Sequence, residues 1–419
     1  MIFSKELCCT ENEESKQRKE KAFTVVTHEY TSGKIGYYGL PISSIKTVDE
    51  VKLLEDQNPF LASGTISDIA LIGIGGSSLG VKGIDSLLKA KKIPTRNLHF
   101  FENTDPTNIS KTLSTLTKEN TLFIVASKSG TTIETISILK TVISYYGLDI
   151  EGDDRNRILV ITDAGSSLSK FADHHGMRQF AIPLNVGGRF SVLSAVGIVP
   201  LTLAGYDTKA ILAGAQTFLE SFFSRHEDHL LEKGCFLFEN SATITTNILF
   251  AYANELENMC KWYVQLWGES LGKIDFHGKT VGLTPQALIG SVDQHSFLQL
   301  LIEGPKDKSV TFINILDFES DLMIPTLSLK YLEKTDFVHG KSFNELINLQ
   351  CAATKESLVL SGVPTDQLSF EKIDEANIGT MILYYELLTS VVGAMMEINP
   401  YDQPGVELGK QILYKKFDT

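Results

Sequence analysis

Cysteine is scarce and unpatterned in this chain. The five residues Cys8, Cys9, Cys235, Cys260 and Cys351 are odd in number, scattered and without CxxC spacing. That spacing excludes a disulfide framework or a zinc knuckle as an expectation and fits reduced thiols in a cytoplasm. Basic charge is also short: 38 Lys and Arg stand against 51 Asp and Glu, a formal net charge of −13. Nucleic acid and anionic membranes are therefore poor partners, although local donors can still hold a small anion. Long apolar runs are missing as well. The most apolar late segment, LLTSVVGAMMEI, has Glu386 just before it and Glu397 within it, and falls short of the roughly 20 residues of a bilayer span. The opening MIFSKELCCTENEESKQRKEKA turns densely charged too early for a signal peptide. No proline-rich linker or low-complexity tract divides the chain.

What is present is 419 residues, 43% hydrophobic and 21% charged, enough for a soluble globular protein of two domains. From residue 66 a strand–loop–helix grammar recurs. ISDIALIGI, NLHFFEN, TLFIVAS and RILVIT read as strands, each followed by a helical pattern, which predicts a parallel sheet covered on both faces. FSVLSAVGIVPLTLA (190–204) reads as an apolar helix closing this unit. A second, more helical unit is built around NILFAYANELENMCKWYVQLWGESLGK, with strand-like KTVGLTPQALI and SVTFINILD and helices near 342–361 and 377–397. The expected division is an N-terminal segment 1–52 packing on the second domain, a first domain 53–205 and a second 206–419. Within the first segment, ENEESKQRKEKAFTVV predicts a polar helix followed by a strand.

Two loops lie where parallel sheets bind ligands, beyond the carboxyl ends of strands. Gly73-Ile74-Gly75-Gly76-Ser77-Ser78-Leu79-Gly80 matches neither the dinucleotide fingerprint nor the nucleotide P-loop. It reads equally as a tight turn between strand and helix. Ser127-Lys128-Ser129-Gly130-Thr131-Thr132-Ile133-Glu134 contains a capping-box spacing at Thr131 and Glu134. Ser127, Ser129 and Thr132 are then surplus hydroxyls beside free N–H groups, and Lys128 is a nearby charge: a phosphate cradle. Of the histidine clusters, HEDH at 226–229 lacks one residue of the HExxH spacing and Asp173-His174-His175 lacks a third ligand, so both read as solvated surface.

GIGGSSLG, SKSGTTIET, GGRFSVLSAVG, WGESLGK and DQPGVELGK, in that order, resemble the glucose-6-phosphate isomerase (phosphoglucose isomerase) family from about residue 65 to 410. The resemblance implies an α/β fold of two αβα-sandwich sugar isomerase domains, each with a mainly parallel central sheet, plus a C-terminal helical element. It implies a dimer that uses no metal and no cofactor and shares its site across the interface. It also implies roles. Gly76 and Ser77 face the sugar phosphate, and Ser127, Lys128, Ser129 and Thr132 form the phosphate pocket. Arg189 stands near the developing enediolate, Glu269 is the base, and Gln265 contacts ligand. His295 and Lys410 open the ring, the histidine reaching in from the second subunit, and Gln403 belongs to the terminal motif. The sequence departs from longer members in its shortened N-terminus, in Ser129-Gly130, and in the compact stretch from Glu269 to His295.

Moving a proton between C2 and C1 of a hexose 6-phosphate passes through an anion, so the chemistry needs a base, a fixed cation and a ring-opening acid/base pair. Glu269, Arg189 and His295 with Lys410 meet that requirement, and Trp267 and Leu271 are the expected apolar surroundings of Glu269. Each residue also has a plain alternative: Glu269 can pair with Lys273 at i, i+4, Arg189 can be a loop arginine, and His295 can be surface. The expected reaction is the interconversion of glucose and fructose 6-phosphates. A bifunctional relative that also takes mannose 6-phosphate, and a non-catalytic sugar-phosphate sensor, are the competing readings. In DQPGVELGK, Pro404 suits the first turn of a helix, and Gln403 and Lys410 fall about 20° apart in helical register.

Overall fold

A computed structural model describes residues 1–4 and 6–417. The strands in chain order are β1 (Ile2–Phe3), β2 (Asp68–Ile72), β3 (Asn97–Phe101), β4 (Thr121–Ala126), β5 (Ile158–Asp163), β6 (Arg178–Ile182), β7 (Thr246–Ala251), β8 (Lys273–Ile274), β9 (Thr280–Val281), β10 (Thr284–Ile289), β11 (Lys308–Ile315) and β12 (Thr365–Phe370). One sheet has the order β3-β2-β4-β5-β6 and is wholly parallel. The other runs β1-β12-β11-β7-β10, parallel except for β1, which pairs antiparallel with β12. All six residues of β4 are buried, as expected of a strand with helices on both faces.

The first sheet follows the predicted grammar, and each apolar run stops at a glycine or polar loop. β6 and β12 are additions. So is β7, because NILFA is a continuous apolar run with no period to separate it from the helix that follows. The N-terminal segment differs more: FTVV continues the helix Glu13–Ser32, whose start is fixed by a reciprocal capping box between Asn12 and Ser15. Ala22 and Val26, four residues apart on one face, are buried, and that packing overrides the strand propensity of Val-Val. Arg18 and Lys19 of this helix bind Glu239 and Glu232.

The late apolar segment is the helix Glu375–Met395, long and apolar enough by composition to cross a membrane, but 89% of its apolar 18-residue window is buried in the protein. It is the central core helix of the second unit. HEDH is not solvated surface throughout: His229 is fully buried, its Nε2 3.0 Å from the Tyr384 hydroxyl. Asp173-His174-His175 is largely solvated, although Glu151 stands beside the two histidines. The capping box at Thr131 and Glu134 does not form. Thr132 occupies the cap position without a side-chain cap bond, and Thr131 Oγ1 bonds Ser129 instead.

Candidate active site

The strand order of the first sheet reverses beside β2: β3 lies on one side and β4 on the other. Loops leaving the carboxyl ends of β2 and β4 therefore diverge and leave a crevice between them. Those two loops are GIGGSSLG and SKSGTT. A Cβ on Gly76 would sit 2.2 Å from the carbonyl oxygen of Gly188, so the first loop lies directly against the turn Gly188–Phe190 that carries Arg189. Gly75 takes φ +60° and faces the Gln265 amide, whose Nε2 would lie 2.9 Å from an added Cβ. Gly76→Ala must push the two loops apart, an overpacking cost of about 1–3 kcal/mol. The expected result is a lower Tm together with lost turnover, read by calorimetry and assay. An unchanged Tm would show that the loops do not touch.

Arg189 is buried, its side chain 1% exposed, and every donor nitrogen has work. Nε donates to Ser270 Oγ at 2.7 Å, and Nη2 donates to the carbonyls of Pro400 and Asp402 at 2.6 and 2.9 Å. Nη1 donates to Gln403 Oε1 at 2.9 Å and to Glu269 at 3.3 Å. Burial lowers its pKa, opposed by the carboxylate of Glu269. Glu269 lies on the helix Glu257–Leu271 with its side chain 35% exposed, and its other oxygen accepts from Gln265 Nε2 at 3.3 Å. The Gln265 Oε1 is buried without a hydrogen-bond partner among the described residues.

Trp267 and Leu271 do not surround this carboxylate. Two residues either way is about 200° around a helix, so both point into the core, where they are fully buried. Nor does Glu269 pair with Lys273, which binds the Asp402 carboxylate at 2.9 Å and the Asp402 carbonyl. The turn 400–403 is thus gripped from two sides. Tyr401 anchors it from a third, donating its hydroxyl to Glu29 while Phe190 packs on its ring.

In the second loop, Ser127 is buried with its Oγ 2.9 Å from Thr132 Oγ1, and Ser129 Oγ accepts from the Thr131 N–H. Gly130 takes φ +68°, and a Cβ there would strike the backbone of Leu168. Lys128 donates to the carbonyls of Leu184 and Val186 at 3.0 and 2.6 Å, so its ammonium ties the loop before Gly187 rather than standing free. Ser77 sits on the 3-10 turn Gly75–Ser77.

Two of the expected residues stand apart. His295 is exposed on the turn Val292–His295 after β10, and no hydrogen bond or ion pair among the described residues joins it to Arg189 or Glu269. Lys410 binds Glu407 at 2.7 Å with a side chain 58% exposed. It lies on the helix Glu407–Phe417, of which no residue is buried. Pro404 does open the terminal helical stretch, following Gln403 in a 3-10 turn that leads into it. A cleft of about 670 Å3 lined by Gly268, Gly272, Asp275 and Lys279 lies beside the cluster and holds none of its side chains. The sequence reading missed Ser270, Lys273 and Tyr401 as parts of the site. Their neighbours in WGESLGK and DQPGVELGK were the available signal.

Two mainly parallel αβα units with glycine and hydroxyl loops at a strand-order reversal define a protein of the sugar-isomerase-domain class. A tagatose-6-phosphate ketose/aldose isomerase from Escherichia coli shares the fold at TM-score 0.56 and 13% identity, covering 91% of this chain and 96% of that one. The family model for phosphoglucose isomerase matches residues 58–417, and the chain belongs to that family. A glucose-6-phosphate isomerase from Campylobacter jejuni is 41% identical over 93% of both chains. The crystal structure of a hypothetical protein from Thermus thermophilus superposes at TM-score 0.86 with 31% identity, covering 97% of this chain and 95% of that one.

Proposed function

We propose that this chain interconverts glucose 6-phosphate and fructose 6-phosphate, opening the sugar ring and then moving a proton between C2 and C1 through an enediolate. One observation carries the reading: a part-exposed carboxylate, Glu269, is held between Gln265 and the buried guanidinium of Arg189, next to the glycine loop at the strand-order reversal. Glu269 removes and returns the proton, which a fixed carboxylate does without reorganisation. Arg189, immobilised by five acceptors, faces the enediolate oxygen with a charge that is already in place. The unpartnered Gln265 Oε1 is an acceptor for a sugar hydroxyl. Gly76, Ser77, Ser127, Ser129 and Thr132 hold the phosphate through N–H and hydroxyl groups. Lys128 keeps their loop in position, and Gln403 completes the Arg189 side.

The chain is read as a metal-independent, cytoplasmic homodimer of two sugar isomerase domains, 53–205 and 206–419, with residues 1–52 laid on the second. The segment 316–342 supports a dimer: Leu322, Met323, Leu327, Tyr331 and Phe337 are all exposed on it, more apolar surface than a monomer commonly leaves in water. A second copy covers it and brings His295 to the site, where Lys410 joins as the terminal helix closes. A coupled assay of purified protein with chelator present tests the reaction: turnover in both directions is expected, and intact sugar-phosphate binding without turnover would sink it. Mixing Glu269→Gln with His295→Ala subunits tests the shared site. About a quarter of wild-type activity should return, because half of the dimers are mixed and each then holds one intact site. No recovery would count against a site shared between subunits.

A further inference from the structure

We infer that Cys9, Cys235 and Glu239 form a structural binding site for a thiophilic divalent metal, zinc in the first instance, separate from the isomerase chemistry. Their ligand atoms lie within 4.8 Å of one another, and both cysteines are buried. Cys9 Sγ is 3.4 Å from Glu232 Oε2, and Cys235 Sγ is 3.5 Å from Glu239 Oε1. A tetrahedral zinc with bonds of about 2.3 Å to sulfur and about 2.0 Å to oxygen sets its ligand atoms roughly 3.3–3.8 Å apart. The sulfur–oxygen separations already have that value. Glu232, which accepts from the Cys9 thiol, would supply a fourth donor.

Arg18 pairs with Glu239 and Lys19 with Glu232, so a metal would bind carboxylates that two cations already hold in position. On binding, two S–H bonds break, two metal–sulfur bonds form and two protons leave to solvent; the charge of the site stays the same. No oxidant is required. Soft thiolate donors select zinc or cobalt over magnesium or calcium. The metal would staple the segment just after β1 to the helix His229–Glu239, two stretches far apart in sequence. None of these residues contacts Arg189, Glu269 or Gln265.

The test uses the full chain stripped with chelator and titrated with Co2+. Expected are one metal per chain, a near-ultraviolet thiolate-to-cobalt charge-transfer band, release of two protons per metal, and displacement of the band by Zn2+ with a rise in Tm. Cys9→Ser and Cys235→Ser each lose the band, whereas Cys8→Ser keeps it. Turnover per folded molecule is the same with and without metal. A folded, stripped wild type that shows no thiolate band, or a band that survives in Cys235→Ser, overturns the site. The wild-type titration decides the question even if a variant fails to fold.

Discussion

Glu269→Gln lowers kcat by about 10²–10⁴-fold, the range expected when a positioned general base is removed, while KM stays within a few-fold of wild type. The separation of the two parameters follows from the neighbours. The glutamine keeps an oxygen for Arg189 Nη1 and turns its NH2 toward residue 265. There the Gln265 amide can rotate to present the Oε1 that now lacks a partner. The pocket therefore keeps its shape and its cation and loses only the group that takes the proton. Steady-state kinetics in both directions checks this, and a variant retaining near wild-type kcat would remove Glu269 from the mechanism.

Arg189→Lys costs both activity and stability. Oxyanion stabilisation by one preorganised donor is worth about 10²–10³ in kcat. Lysine cannot reproduce a planar fork that serves Ser270, Gln403, Glu269 and two carbonyls at once. A buried acceptor left unmatched costs about 1–3 kcal/mol, and with three N–H donors for the five acceptors of Arg189, Lys leaves at least two of them without a donor from this position. The expected result is a fall in kcat/KM of at least about 10²-fold, with a lower Tm. A lysine variant with full stability and turnover would show that the fork geometry is idle.

Much of the first sheet was legible because its strands are short apolar runs closed by glycine, and a run that stops at Gly73 or Ser127 has few other readings. β7 was not, since NILFA offers neither alternation nor a boundary before the helix. FTVV failed for a different reason: local preference for strand was outweighed by burial of Ala22 and Val26 against distant helices, which no local window contains. At the site, GGR and WGES pointed to Arg189 and Glu269, but the carbonyls that receive Arg189 belong to main chain some 200 residues later, and carbonyls carry no sequence signal. The same holds for Lys273, whose i, i+4 neighbour was the obvious local candidate and whose actual acceptor is Asp402. His295 and Lys410 were legible only through family resemblance, and a single chain does not bring them to Arg189. Cys9 and Cys235 show the opposite limit: spacing rules exclude them, and folding makes them neighbours.

The antiparallel edge strand has a consequence for the order of events during synthesis. Ile2 pairs with Ser369, so β1 cannot join its sheet until the chain has been made through β12. Every strand of the sheet β3-β2-β4-β5-β6 has emerged once residue 182 is clear, and domains generally close as they are made. The other sheet gains its β10 edge early, but its β1 edge stays open until β12 emerges, and meanwhile β1 trails as an unpaired ribbon past a half already folded. A nascent chain stalled before residue 365 would hold the loops after β2 and β4 in place and leave β1 exposed to protease.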